Sequence, residues 1–148
     1  MKITVSIARI LLGLVFLVFG LNGFLHFIPM PPPTGLAGQY MGALFVSHYL
    51  AFVFFVQVIG GALLLANRFV PLALVLLGPV IVNIVLFHSL LAPAGLPLAL
   101  VTTVLWLVVF SGMRGAFAGL FVHRIWIALE LSASLFLQTR SWPSDSPY

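Results

Sequence analysis

An all-α, polytopic membrane bundle of four helices is the fold class the sequence predicts, and three observations carry it. Hydrophobic residues make up 63% of the 148-residue chain and charged residues 5%, with a mean hydropathy of +1.27. A soluble domain of this length has too little interior to hide that much apolar surface, so a water-soluble enzyme is excluded. Ile10 to Asn67 and Phe69 to Met113 contain no Asp, Glu, Lys or Arg. Crossing about 30 Å of hydrocarbon takes roughly 20 apolar residues, so each stretch has room for two spans, and each is divided by a cluster of prolines.

The first span is predicted near 5–27. Lys2 followed by the apolar stretch Leu11 to Phe19 has the outline of a secretory signal, but no A-x-A pattern follows and the apolar run continues to Phe27. That pattern reads as a retained signal anchor. Ile28-Pro29-Met30-Pro31-Pro32-Pro33-Thr34-Gly35 removes backbone donors and forces an extended path, so 28–47 is expected as a loop. Spans two and three are predicted near 48–67 and 70–90, joined at Asn67-Arg68-Phe69, with Pro71 acceptable in a first helical turn. Ala92-Pro93-Ala94-Gly95-Leu96-Pro97 then makes a short hairpin into the fourth span, near 96–113.

Positive charge gives the orientation. Lys2 and Arg9, then Arg68, then Arg114, Arg124 and Arg140 all fall on one side of this division, and the intervening loops carry none. Both termini are therefore expected to be cytoplasmic, in a cell (inner or plasma) membrane. The bundle is assigned to 1–113 and a cytoplasmic segment to 114–140. Within the latter, His123, Glu130, Ser134 and Gln138 share one helical face at about 100° per residue, which suits an interfacial helix. Spanning instead would place Glu130 near the bilayer centre, at about 2.5–3.5 kcal/mol. Residues 141–148, with Pro143 and Pro147, are expected to be a disordered tail.

The absence of cysteine removes disulfides, thiol relays, Fe–S ligation and thiolate zinc sites. The net charge of +4 is scattered singly, without a basic patch, which argues against nucleic acid as a partner. The lipid bilayer is the expected partner, with a membrane redox protein or further copies of the chain as additional ones.

Ala8-Arg9-Ile10-Leu11-Leu12-Gly13-Leu14-Val15-Phe16, Phe19-Gly20-Leu21-Asn22-Gly23-Phe24 and His26-Phe27-Ile28-Pro29-Met30-Pro31-Pro32 resemble the first span and loop of the DoxX family of small integral membrane proteins. Val58-Ile59-Gly60-Gly61-Ala62-Leu63-Leu64-Leu65, Arg68-Phe69-Val70-Pro71-Leu72-Ala73-Leu74, Asn83 and Phe87-His88 resemble its second and third spans. The resemblance covers roughly 5–120 and implies a four-helix membrane bundle. It also implies association with redox chemistry, since the family is named for a small subunit linked to thiosulfate:quinone oxidoreduction. Many members carry a Lys after the first-span Gly; here that neighbourhood reads Asn22-Gly23, and no role for a Lys carries over.

Polar side chains inside hydrocarbon need a partner or a cavity. Asn22, Gln57 and Asn83 are expected in the outer half or near the midplane, where they serve either as interhelical hydrogen-bond glue or as a polar pocket for a quinone-like carbonyl. Phe24, Phe54, Phe55 and Phe87 would supply its walls. His26, His48 and His88 fall at one level near the outer face, either as interfacial rings or as groups that exchange a proton with a quinone. Imidazoles also ligate haem or metals, but no Asp or Glu lies in the four spans to orient these rings, which counts against that use. The expected ligand-binding set is thus Asn22, His26, His48, Gln57, Asn83 and His88, with a quinone as the cofactor to test. Catalytic residues are not assigned. The functional expectation is an accessory or maturation subunit of a membrane redox system; the alternative is a non-catalytic scaffold, or a binding or transport protein for a small lipophilic ligand.

Overall fold

A computed structural model describes residues 2–117 and 134–135, and no strand occurs among them. The helices are α1 (Lys2–Leu25), α2 (Gly35–Val46), α3 (Tyr49–Leu65), α4 (Val70–Leu90) and α5 (Leu96–Gly112), with a 3₁₀ turn, Pro93–Gly95, leading into α5. α1, α4 and the stretch Pro93–Gly112 are each long and apolar enough to cross a membrane. α2 and α3 meet at 84° and count as a fourth crossing if taken as one bent span. The chain divides into two units, one ending at Met113 and one beginning at Arg114. In the second, 114–117 and 134–135 are helical. The rest of the expected interfacial segment and the 141–148 tail lie outside the described residues.

Glycines set the register of the first unit. A Cβ on Gly61 of α3 would lie 2.6 Å from the backbone nitrogen of Leu17 and 2.8 Å from the Gly13 carbonyl oxygen, so the two backbones touch where no side chain could fit. Along α1, Gly13 faces Leu65 and Gly61, Gly20 faces Gln57 and Val58, and Gly23 faces Phe54. Ascending numbers meet descending ones, which makes the pair antiparallel. Gly60 against Leu77 and Gly112 against Val5 extend the same sense to α3–α4 and α5–α1. With α4 packed on α5, the four helices close a ring. Its core is Leu12, Phe16, Leu64, Leu74, Leu77 and Val109, all fully buried. Ile7, Phe55, Leu72, Val82 and Leu107 face outward, an apolar perimeter suited to lipid rather than water.

Arg9 does more than mark orientation. Its Nη1 donates to the carbonyl of Leu64 in the last turn of α3, where unpaired carbonyls and the helix dipole concentrate negative charge. Arg9, Lys2 and Arg68 thus share one end of the ring, and His26, His48 and His88 share the other.

The segment expected as a loop over 28–47 contains α2, which corrects the sequence reading. Its prolines stop at Pro33, Thr34 takes the extended conformation of a helix N-cap, and the next 12 residues contain no proline. A helix this short is marginal in water. Against apolar surroundings its backbone must satisfy itself internally, and helix is the local way to do so. α2 ends at Ser47, and His48, at φ +60°, turns the chain into α3.

Pro79 lies within α4, which continues through it. The Trp106 indole N–H donates to the Leu74 carbonyl at 3.1 Å, tying α5 to α4 one turn before that proline. Further along α4, the Asn83 amide oxygen accepts from the Tyr40 hydroxyl of α2 at 3.2 Å.

Candidate ligand-binding cavity

Toward its histidine end the ring holds a space. α1 borders it with Phe19 and Asn22, and α3 with Phe54 and Gln57. This space, about 920 Å³ and half open to the outside, is also lined by the Pro29–Pro33 segment and by Met41 and Phe45 of α2. α4 contributes Ile84 and His88, and α5 contributes Ala99 and Thr102. A second cavity of about 170 Å³ lies against the first, between α2, α3 and α4. Gln57, His88, Phe54, Leu50, Met41 and Ile84 line both.

The polar groups here differ in what they have left to offer. Asn22, 3% exposed, is engaged locally: its Nδ2 donates to the Ile28 carbonyl at 3.3 Å and its Oδ1 accepts from the Ile28 N–H at 2.6 Å. The side chain mimics a peptide and fixes the turn after α1, while also bordering the cavity. Thr102 donates back to the Leu98 carbonyl of its own helix at 2.9 Å. His88 Nδ1 lies 2.9 Å from the Ala92 carbonyl oxygen. A carbonyl only accepts, so Nδ1 carries the proton, and in the neutral ring Nε2 is a free acceptor. Gly95 makes room for this ring, since a Cβ there would fall 2.1 Å from the imidazole Cε1.

Gln57 is the exception. It is 7% exposed and has no hydrogen-bond partner among the described residues, yet its amide is not sealed off, because it opens on both cavities. Being open there, the amide can be hydrated, and a ligand replaces that hydration only by matching its hydrogen bonds.

The six site residues expected from sequence therefore separate. Asn22, His26, Gln57 and His88 line the larger cavity, and Gln57, Asn83 and His88 the smaller. His48 lines neither; it is exposed at the α2–α3 break. His26, exposed and at φ +52°, ends α1 in the left-handed conformation. Among the described residues no three His, Asp or Glu side chains are grouped so as to hold a metal ion. Of the expected aromatic walls, Phe54 and Phe87 line a cavity, Phe24 packs edge-on against Phe54 at 6.0 Å, and Phe55 points outward. Tyr40, Gly95 and α2 as cover are additions. The run Gly35–Val46, free of proline and charge, was the available signal for α2.

Chemically, the larger cavity has the size of a small-molecule site. Its lining contains no Lys, Arg, Asp or Glu, so it suits a neutral, mainly apolar molecule oriented by one or two hydrogen bonds. No protein-family model, no curated protein and no solved structure matches the chain.

Proposed function

We propose that this chain is a DoxX-like multi-pass protein of the cell membrane, crossing four times with both termini cytoplasmic. It serves as a small accessory or maturation subunit near the quinone pool, where it holds a quinone-type molecule for a membrane redox partner. The observation that carries this reading is the Gln57 amide, without a protein hydrogen-bond partner and open to an uncharged cavity of about 920 Å³. An amide N–H directed into an apolar space is the group that orients a ligand carbonyl. Lys2, Arg9 and Arg68 at one end of the ring support the orientation through their preference for the cytoplasmic side, and the residues quoted above support the family.

A second reading, a carrier or scaffold binding a small lipophilic ligand without chemistry, draws on the uncharged lining, which offers no carboxylate to take up protons. Both readings require binding; the redox reading also requires a partner. Decylubiquinone is expected to bind the detergent-solubilised protein and to bind at least about tenfold more weakly after Gln57→Met, which removes a hydrogen bond inside an apolar site. Binding that is unchanged by Gln57→Met and by Asn83→Leu would remove the proposed site. Purification in mild detergent that yields a redox subunit with the chain selects the accessory role, and purification with ligand alone selects the carrier.

A further inference from the structure

The two cavities differ in size in a way that assigns parts of a ligand to each. An engineered, apolar protein cavity of about 150 Å³ accepts one benzene ring, and the smaller cavity here is about 170 Å³. Its walls are aromatic: Tyr40 and Phe87 stand 5.8 Å apart in a tilted arrangement, and Phe54 closes another side. Gln57 and His88 both border this ring-sized space. The larger neighbouring cavity, reached past the same two side chains, has the volume for an aliphatic tail.

The polarity of the two groups is complementary rather than alike. Gln57 brings amide N–H donors and an Oε1 acceptor, neither with a protein partner, so the acceptors outnumber what a carbonyl ligand can serve. His88 brings an acceptor, because its Nδ1–H is committed to the Ala92 carbonyl and, in the neutral ring, Nε2 keeps its lone pair. A quinone carbonyl satisfies the Gln57 N–H but has no hydrogen for Gln57 Oε1 or for His88 Nε2. A hydroxyl on an aromatic ring satisfies both: its oxygen accepts from Gln57 and its hydrogen goes to His88. We infer that the site selects a neutral lipid with a phenolic head, such as the reduced, hydroquinone form of a quinone, over a head that only accepts hydrogen bonds. The inference rests on the cavity being a ligand site, as proposed above, and adds which head group it takes.

Two probes of nearly equal shape and apolarity test it, 4-hexylphenol and its methyl ether 4-hexylanisole, each measured by equilibrium binding to the solubilised protein and corrected for partition into detergent. The phenol is expected to bind about tenfold more tightly, the worth of one donated hydrogen bond in a dry site. In His88→Phe, which keeps a ring over Gly95, the advantage of the phenol is expected to shrink to what Gln57 Oε1 alone accepts. In Gln57→Met both weaken together. Equal binding of phenol and ether to the unmodified protein, with decylubiquinone still bound, overturns the phenolic preference and leaves the ligand site standing. A preference undiminished in His88→Phe overturns His88 as an acceptor. If none of the three molecules binds, both this inference and the proposed function fall. The comparison on the unmodified protein decides the matter even if a variant does not fold.

Discussion

Two glycines one helix apart show how differently the same residue type is constrained. At Gly61 a Cβ would collide with the backbone of α1, which cannot retreat without opening the seam, whereas at Gly42 of α2 there is nothing within 4 Å. Gly61→Ala is therefore expected to lower stability by about 1–3 kcal/mol, the usual range for overpacking a fitted contact. Gly42→Ala is expected to be neutral or to stabilise by up to about 1 kcal/mol through helix propensity. Thermal unfolding of the two variants in the same detergent checks both; an equal drop in Tm would mean that α1 and α3 do not meet at their glycines. Gln57 and Asn22 make the same contrast among amides. Both were legible in the sequence as costly polar groups in apolar helices, but which of them is spoken for depends on the path of Ile28 after the helix, and no periodicity carries that.

The helices themselves were largely legible, because proline clusters and the spacing of charges bracket them: α1, α3, α4 and α5 lie within a few residues of the predicted 5–27, 48–67, 70–90 and 96–113. α2 was not. Prolines 29 to 33 dominated the reading of the whole segment, although they constrain only the residues up to Thr34. With α2 went the partner of Asn83 and the cover of the larger cavity. Among the described residues, Tyr40 to Asn83 is the side-chain hydrogen bond that holds this short helix to α4, so Tyr40→Phe is expected to loosen α2 alone. Hydrogen–deuterium exchange should show the amides of 36–46 exchanging roughly threefold to tenfold faster, the range for one partly exposed hydrogen bond. α1 and α3 should be unaffected. Exchange that stays slow would mean that the proline segment, not Tyr40, fastens the cover.

Across the whole molecule, the arrangement of charges makes a prediction about sides. The chain has no native cysteine, so any cysteine introduced is a unique label. Ala66→Cys, beside Arg68, and Gln39→Cys, on α2, are expected to react with a membrane-impermeant maleimide from opposite faces of a sealed vesicle, Ala66→Cys from the cytoplasmic one. Reaction of both from one face would end the four-crossing topology, and with it the shared level of the three imidazoles. The ring of helices also has an order of assembly built into it. α3–α4 and α4–α5 are hairpins of neighbours in sequence, whereas α1 must wait for the last helix before Val5 can meet Gly112. Synthesis runs from the N-terminus, so the glycine seam of α1 and α3 can form while α5 is still unmade. Ala99 and Thr102 complete the wall of the large cavity only on the arrival of α5. A nascent chain arrested before residue 96 would thus hold a folded seam and a cavity still missing one wall.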